Sequence, residues 1–243
     1  MTHTLVGTMI AAIVFPVASK PVKLKLIQWW SGRLVAALNL RVISLGNIPT
    51  KHETLSNTMF VANHISWTDI YALNSIVPLR FISKSEVKSW PVIGYLASKA
   101  NVLFIDRSRR HDAARVVNTA ALGLKAGDNL CFFPEGTTTD GTVLKPFKSS
   151  LIEAAIQASA TIQPIAIRYP RPDSSINTEV AYAGETTMLV SIQQILRQKC
   201  PVVELHFFAP IPINELAAAN KDRRALTQSI QDLIQQKLNL KIS

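Results

Sequence analysis

The feature that most constrains the fold is a regular alternation, from about residue 55 onward, of short apolar runs with longer helical patterns. Six runs of five to seven residues have the composition of β-strands, at residues 58–62, 79–83, 102–106, 129–133, 161–167 and 202–208. Helical stretches lie between or after these runs, at residues 67–77, 91–100, 112–126, 149–160 and 222–238. Such an alternation predicts an α/β domain whose mixed, mostly parallel sheet is flanked by helices.

The composition of the chain argues against two broad classes of protein. In 243 residues, 48% hydrophobic residues accompany only 17% charged ones, which is the reverse of what a disordered chain shows. Lys and Arg outnumber Asp and Glu by 26 to 16, so the formal charge is +10. No stretch interleaves basic and aromatic residues in the way that a base-stacking surface requires. A nucleic-acid partner is therefore not expected.

The excess positive charge is concentrated in two parts of the chain. Six cations precede the first acidic residue, Glu53. A second basic zone runs from residue 80 to residue 125 and includes Lys84 and Arg107. Both zones fit an anionic lipid surface or lipid headgroups, because each cation near such a surface contributes about 1 kcal/mol of attraction.

The N-terminal segment is predicted to be a helical hairpin that associates with a membrane. Residues 4–19 carry no charge over 16 positions, which is shorter than the roughly 20 apolar residues of a perpendicular membrane span. The nearest Lys and Arg residues follow this run rather than precede it, an order that argues against a secretory signal. A second helix can begin at Pro21, and it carries Trp29 and Trp30 near basic side chains, as in segments that lie at the headgroup level.

These features divide the chain into a membrane-associating arm of residues 1–52 and a domain of residues 53–243. Without a secretory signal, the expected location is the cytoplasmic face of the inner membrane. A hairpin that only packs on the domain is the simpler alternative, and the sequence does not compel a full membrane span.

Two polar loops follow predicted strands and are the candidate functional sites. The first, Asn-His-Ile-Ser-Trp-Thr-Asp at residues 63–69, comes directly after the strand at 58–62. The second, Pro-Glu-Gly-Thr-Thr-Thr-Asp-Gly at residues 134–141, comes directly after the strand at 129–133. Loops beyond the carboxyl ends of parallel strands share one edge of the sheet, where α/β proteins place their chemistry. We therefore expect the two loops to lie at the same edge.

His64 and Asp69 are the candidate catalytic pair. An imidazole can take a proton from an alcohol if a carboxylate holds its tautomer and stabilises the imidazolium. In an uninterrupted helix, residues five apart point about 140° away from each other, so the pair requires that the helix begin after His64. Ser66 offers that start, as the N-cap of a capping box whose third helical residue is Asp69. Alternatively, Asp69 is only a cap, which contributes about 1 kcal/mol.

Two residues, one within the strand at 129–133 and one just after it, also bear on the chemistry. Glu135 places a carboxylate where a buried strand ends, so it must find hydrogen-bond partners. Cys131 lies inside the apolar run Asn-Leu-Cys-Phe-Phe and is expected to be a core residue rather than a nucleophile. The sequence contains no Gly-x-Ser-x-Gly turn, which leaves a serine nucleophile with little support.

In their order along the chain, these loops and two further segments resemble the glycerolipid acyltransferase family, which includes bacterial 1-acyl-glycerol-3-phosphate acyltransferases. The family's NHxxxxD block is matched at residues 63–69 and its FPEGT block at residues 133–137. A basic residue followed by WPxxG and a strand ending in Arg is similar to residues 84–107, and a proline-bearing strand is similar to residues 162–167. Four blocks in order over about residues 60–170 make the resemblance specific.

The resemblance implies an O-acyltransferase that moves a fatty acyl group from acyl-CoA or acyl-carrier protein to the hydroxyl of a lysolipid. It implies that His64 is the general base and that Asp69 orients and charges it, with no covalent intermediate, cofactor or metal. It also implies a set of substrate-binding residues: Asn63, Lys84, Arg107, Glu135, Gly136, Thr137 and Thr138. The expected partners are therefore membrane lipids and an acyl thioester.

One departure from the family pattern concerns the acceptor. In many phosphatidate-forming members the third block continues EGTR, and that arginine is thought to hold the acceptor phosphate, whereas this chain has Thr138. A strong charge-assisted contact is lost unless another cation replaces it, for which the candidates are Lys84, Arg107, Lys145 and Lys148. We take 1-acyl-sn-glycerol-3-phosphate as the first candidate acceptor because it is the commonest substrate of the family. Lyso-ornithine lipid or another lysophospholipid is the alternative, since EGTTTDG followed by LKPFKSS also resembles acyltransferases of lyso-ornithine lipid.

A protein of another class is a further alternative, namely a non-catalytic basic protein that binds a membrane or a nucleic acid. Such a protein would use the positive charge of the chain but would not need His64 for acyl transfer. Replacing His64 therefore separates the two classes.

Overall fold

The computed structural model describes residues 2–49, 55–106, 110–213 and 222–242 of the chain. The strands in these ranges are β1 Arg41–Gly46, β2 Thr58–Ala62, β3 Arg80–Lys84, β4 Leu103–Ile105, β5 Asn129–Phe132, β6 Val143–Leu144, β7 Thr161–Arg168, β8 Val202–Phe207, β9 Ile211–Pro212 and β10 Lys241–Ile242. All six predicted strands are present, as β2, β3, β4, β5, β7 and β8.

The main sheet has the strand order β1-β8-β7-β2-β5-β3-β4, and β9 pairs with β7. From β7 to β4, all neighbouring strands are parallel. β8 runs antiparallel to β7, and β1 is parallel to β8. The prediction of a mixed, mostly parallel sheet is therefore confirmed.

The described α-helices are α1 Thr2–Met9, α2 Lys20–Ala37, α3 Thr68–Ile76, α4 Ile93–Lys99, α5 Arg110–Lys125, α6 Ile152–Gln157, α7 Met188–Arg197 and α8 Arg223–Leu238. Each predicted helical stretch of the domain overlaps one of them, although α5 begins two residues before its predicted stretch, and α7 was not predicted from the sequence. Helices α5, α6 and α8 contribute to one apolar core and α2, α3 and α7 to another. The sheet lies between these two helical layers.

The central strands are apolar on both faces because both faces are covered. In β2, Met59 and Val61 belong to the core on the α5 side, whereas Phe60 and Ala62 belong to the core on the α3 side. Successive side chains of a strand point to opposite faces, so a strand buried on both sides is a continuous apolar run. This explains why the sequence of β2 shows no alternation of apolar and polar residues.

The N-terminal arm forms a helical hairpin that docks on α3. Gly7 of α1 lies tightly against Trp30 of α2, since a Cβ atom at Gly7 would come within 2.4 Å of the indole nitrogen. Gln28 of α2 donates hydrogen bonds of 3.2 and 2.9 Å to two backbone carbonyls at the end of α3. The predicted hairpin is therefore confirmed, and it is attached to the domain.

The arm also keeps an apolar surface exposed. The fractional exposures of Leu5, Ile13 and Val17 are 61%, 65% and 86%, and that of Trp29 is 49%. None of the described helices is both long enough and apolar enough to cross a membrane. One face of the hairpin thus packs on the domain. The other face is apolar, and among the described residues nothing covers it.

Strand β1 lies within the range that the sequence analysis assigned to the arm. It pairs along its whole length with β8, so this part of residues 1–52 belongs to the sheet. β1 is an edge strand whose residues are half-buried or exposed, and an edge strand lacks the strongly apolar pattern that marks a buried one. The predicted boundary at residues 52 and 53 lies outside the described residues.

Candidate active site

The two polar loops leave the sheet at the same edge. β2 and β5 are parallel neighbours in which Phe60 lies opposite Cys131, so the loops after these strands emerge side by side. The N–H of Thr139 donates to the carbonyl of His64 at 2.9 Å and joins the loops directly. The expected placement of the loops at one edge is therefore confirmed.

His64 and Asp69 are in direct contact. Nδ1 of His64 lies 2.8 Å from Oδ2 of Asp69, whose side chain is fully buried. The same oxygen accepts the backbone N–H groups of Ile65 and Ser66, at 2.8 and 2.9 Å. Because α3 begins only at Thr68, a turn between the two residues lets their side chains meet. Asp69 therefore closes the turn at the start of α3 and holds the histidine with one oxygen atom.

The imidazole of His64 is fixed in orientation. It stacks on the ring of Phe133, with 3.8 Å between the ring centroids and 6° between the planes. When Nδ1 donates to the carboxylate of Asp69, the neutral imidazole has its lone pair on Nε2. The side chain of His64 is 16% exposed, so the ring is not sealed inside the protein.

Glu135 joins the first loop to the segment that follows the second. Its Oε1 accepts the N–H of His64 at 2.7 Å, and its Oε2 accepts the N–H of Lys145 at 3.0 Å. Burial raises the pKa of Glu135 to about 7; the two backbone donors oppose this shift, and the charge of Asp69 adds to it. The buried carboxylate thus finds its partners in the backbone of the site. Its predicted role in substrate binding stays a prediction.

Asn63 continues the pairing of β2 with β7 by one side chain. Its amide donates to the carbonyl of Ile167 at 3.0 Å and accepts the N–H of the same residue at 2.7 Å. This pair of bonds imitates a rung of the sheet, and Asn63 is only 2% exposed. It therefore anchors the loop at the residue before His64. Contact with substrate, which the resemblance implies, stays a prediction.

The rest of the second loop forms a turn beside the histidine. Gly136 has a φ of +77°, which favours glycine, and its N–H donates to the carbonyl of Phe133 at 3.1 Å. Thr137 and Thr138 are half-buried, and the hydroxyl of Thr138 donates to the carbonyl of Tyr182. At the position of the family's arginine, this chain thus has a hydroxyl that is engaged with its own backbone.

Of the two predicted headgroup ligands, Lys84 is the one within the described residues, and its strand is not adjacent to β2. Lys84 ends β3, and β5 separates that strand from β2, so the two strands lie about 10 Å apart in the sheet. Its side chain is exposed, and its role in binding the headgroup stays a prediction. Arg107 lies outside the described residues, and its role stays a prediction.

One residue of the site, Tyr169, was not predicted from the sequence. Its hydroxyl donates to Oδ1 of Asp69 at 2.6 Å across a separation of 100 residues, and the side chain is 1% exposed. Tyr169 directly follows β7, whose carboxyl end reaches the same sheet edge as that of β2. The signal that could have identified Tyr169 was its position directly after the proline-bearing strand. No local sequence pattern links it to Asp69.

Cys131 is confirmed as a core residue. It is fully buried, and burial raises the pKa of its thiol far above the ordinary value, with a further contribution from the charge of Asp69. Within the described ranges, no three or more His, Cys, Asp and Glu side chains are grouped so that they could hold a metal ion.

Two relatives of known name share most of this chain. A lyso-ornithine lipid O-acyltransferase of Pseudomonas aeruginosa is 38% identical over 205 residues, which cover 84% of this chain and 77% of that protein. A 1-acyl-sn-glycerol-3-phosphate acyltransferase of Neisseria gonorrhoeae is 32% identical over 82% of this chain and 75% of its own length.

The fold and the family profile agree with these relatives. The crystal structure of the 1-acyl-sn-glycerophosphate acyltransferase of Thermotoga maritima matches with a TM-score of 0.65 at 20% identity, over 98% of this chain and 94% of that one. At this identity the match shows the fold. The profile of the family named Acyltransferase matches residues 39–168, more than half of the chain. The chain therefore belongs to the acyltransferase family and is an acyltransferase.

Proposed function

We propose that the chain is a lysolipid O-acyltransferase, which transfers a fatty acyl group from acyl-CoA or acyl-carrier protein to the free hydroxyl of a lysolipid. The observation that carries this proposal is the contact of 2.8 Å between Nδ1 of His64 and Oδ2 of Asp69. It leaves the other nitrogen of a partly accessible imidazole available as a base. The family of the chain supports the choice of acyl transfer as the reaction.

In the proposed mechanism His64 is the general base and Asp69 orients it. Nε2 of His64 takes the proton of the lysolipid hydroxyl as the hydroxyl oxygen attacks the thioester carbonyl carbon. Backbone N–H groups of the two loops stabilise the oxyanion of the tetrahedral intermediate. When the intermediate collapses, the C–S bond breaks and the leaving thiolate receives the proton from His64. The acyl group passes directly to the acceptor, with no acyl-enzyme, metal or prosthetic group.

An apolar cavity beside the site supports a fatty acyl substrate. The cavity of about 140 Å³ lies between the arm, α3, β3 and α4, and Phe15, Ile70, Phe81 and Leu96 are among its lining residues. Phe81 also packs on Phe133 at 6.0 Å between ring centroids, and Phe133 stacks on the imidazole. A hydrocarbon chain would lose its contact with water in such a cavity, which favours its binding.

For the acceptor we propose lyso-ornithine lipid as the first candidate. The hydroxyl of Thr138 is engaged with Tyr182, at the position where phosphatidate-forming members of the family have an arginine. A site without that arginine favours a headgroup other than a bare phosphate. The relative with 38% identity is named for the same activity.

A second observation favours 1-acyl-sn-glycerol-3-phosphate. Lys145 donates its N–H to Glu135, and Lys148 donates its N–H to the carbonyl of Pro134, so both cations lie on a segment held against the second loop. Either lysine could replace the missing arginine as a ligand of the phosphate.

A panel of acceptors tests this choice. The purified protein would be assayed with labelled acyl-CoA and each of lyso-ornithine lipid, 1-acyl-sn-glycerol-3-phosphate and lysophosphatidylethanolamine. We expect kcat/KM for lyso-ornithine lipid to exceed that for the phosphate acceptor by about tenfold or more, the size of effect that one charge-assisted ligand has. The reverse order, together with a selective loss in Lys145→Ala or Lys148→Ala, would establish the phosphate acceptor instead.

We also propose that the arm holds the enzyme on the cytoplasmic face of the inner membrane. Its exposed apolar side chains include Ile13 and Val17, and the unopposed cations Lys23 and Lys25 follow them. Exposed apolar residues with adjacent cations match an anionic bilayer. Ile13→Glu with Val17→Glu should reduce cosedimentation with anionic vesicles, whereas Leu189→Glu, which changes an exposed residue outside the arm, should not. Equal binding of both variants would contradict the assignment.

His64→Ala tests the catalytic proposal itself. We expect acyl transfer to fall by about 10³-fold or more, as expected when a general base is removed. Binding to vesicles should survive. Loss of acyl transfer with vesicle binding retained distinguishes an enzyme from a non-catalytic membrane protein. His206→Ala, a histidine on β8, is the matched control and should keep its activity. Activity of His64→Ala within tenfold of the parent would exclude the role of His64.

A further inference from the structure

Asp69 is held through both of its carboxylate oxygens, and only one of them contacts His64. Oδ2 carries the contact to the imidazole and accepts two backbone N–H groups of the turn. Oδ1 accepts a hydrogen bond of 2.6 Å from the hydroxyl of Tyr169. That hydroxyl lies 2.8 Å from Oγ1 of Thr68, and Thr68 and Asp69 are fully buried. Oδ1 is therefore held by a side chain that lies outside both loops, residues 63–69 and 134–141.

The protons in this cluster can be assigned. A phenol has one proton, and an ionised carboxylate can only accept, so Tyr169 donates to Asp69. The hydroxyl of Thr68 must then donate to Tyr169. Burial raises the pKa of Tyr169 well above its ordinary value, and the charge of Asp69 adds to this, so the phenol keeps its proton. The hydrogen bonds therefore run in one direction, from Thr68 to Tyr169 to Asp69.

The position of the phenol is set by the sheet rather than by the loop that it supports. β7, which ends one residue before Tyr169, pairs with β2 through the register of Ala62 with Ile165. The carbonyl of Tyr169 accepts the N–H of Asn177 at 2.8 Å, which fixes the backbone on the far side. The hydroxyl thus meets Oδ1 of Asp69 from the residue that follows β7, whereas His64 meets Oδ2.

We propose that Tyr169, supported by Thr68, is a positioning residue that sets the orientation of the Asp69 carboxylate toward His64. The inference rests on the proposed function, because it assumes that His64 is the base. Without the phenol, Oδ1 would lose the hydrogen bond that Tyr169 gives it among the described residues, and the carboxylate would rotate to bring Oδ1 toward the backbone N–H groups of Ile65 and Ser66. Such a rotation would move Oδ2 away from Nδ1, and a misplacement of about 1 Å in a catalytic group can lower the rate by about 10²-fold.

The test compares isosteric variants that differ in a hydroxyl group. Tyr169→Phe should lower kcat by about tenfold or more while KM for both substrates changes by less than about twofold, because the loss is confined to the orientation of the base. Thr68→Val should lower kcat by about threefold, and Thr68→Ser, which keeps the hydroxyl, should restore it. Tyr95→Phe removes a hydroxyl on α4 and serves as the control with unchanged kinetics. All assays are run well below the measured unfolding temperatures of the variants.

A second set of variants shows whether Tyr169 acts through Asp69. In an Asp69→Asn background, Tyr169→Phe should change the residual kcat by less than about twofold, because the ionised acceptor is already gone. Full kcat in Tyr169→Phe, or a loss that appears in KM, would overturn the positioning role while leaving that of His64 intact. High activity of His64→Ala would instead overturn the proposed function. If Tyr169→Phe does not fold, the comparison of Thr68→Val with Thr68→Ser decides, and equal kcat in both overturns the proposal.

Discussion

The two loops of the site differ in what they contribute. Residues 63–69 carry the imidazole and the carboxylate, whereas residues 134–141 carry no reacting group in the proposed mechanism. Yet the second loop binds His64 on both sides of its backbone: Glu135 accepts its N–H at 2.7 Å, and the N–H of Thr139 donates to its carbonyl at 2.9 Å. In the proposed mechanism the first loop thus supplies the base and its carboxylate, and the second loop holds the backbone of that base in place. Changes in the first loop should therefore affect kcat most, and changes in the second should also affect stability.

The largest effect is expected in the first loop. Asp69→Asn should lower kcat by about 10³-fold or more, because an amide cannot stabilise the imidazolium and presents an NH₂ group to one of the donors around it. Steady-state kinetics with labelled acyl-CoA would measure this. Asp140→Asn, an exposed aspartate of the second loop, is the control and should keep its activity. Equal losses in the two variants would erase the proposed difference between the loops.

Removal of the carboxylate that spans the loops should give the next largest effect. Glu135→Ala leaves the N–H groups of His64 and Lys145 without their acceptor, so we expect the free energy of unfolding to fall by roughly 2–5 kcal/mol. Displacement of His64 should lower kcat by roughly 10- to 100-fold. Chemical denaturation and kinetics would measure both, with Glu185→Ala as an exposed control. An increase in KM for the acceptor at unchanged kcat would instead show that Glu135 binds substrate.

The pH dependence of stability gives a third, smaller effect. Since the folded pKa of Glu135 is raised from 4.5 to about 7, the folded state favours the protonated form. The contribution of this group is fully present below about pH 4.5 and is lost as the pH rises through 7, by up to about 3 kcal/mol. Unfolding measured from pH 4.5 to pH 8 should show this decrease in the parent and not in Glu135→Gln. Parallel profiles would indicate that the charged carboxylate is held without a penalty.

The smallest effect is expected at Thr138. Thr138→Val removes one hydrogen bond to the carbonyl of Tyr182, which should lower the free energy of unfolding by roughly 1 kcal/mol. If the second loop only supports the first, kcat should change by less than about threefold. A loss of more than about 100-fold would show that Thr138 contacts the substrate, as the family resemblance implies.

Much of this arrangement could be predicted from local patterns. The apolar runs identified β2 and β5, and the rule that parallel strands present their carboxyl ends together placed the two loops at one edge. The predicted capping box at Ser66 made contact between His64 and Asp69 geometrically possible, although the helix begins at Thr68 with Trp67, rather than Ser66, as its N-cap. Capping and catalysis could not be separated at that stage, because both require the same carboxylate beside the same turn.

What the sequence by itself determined was the class of sheet, the two loops, the candidate catalytic pair and, through four ordered blocks, the family. Only the tertiary structure decided that β1 extends the sheet, that Glu135 holds the backbone of His64 and that Tyr169 holds Asp69. These contacts join segments about 70 to 160 residues apart, and they depend on strand register and on which strands become neighbours. Local periodicity carries no information about either, because it reports only how one segment meets the core.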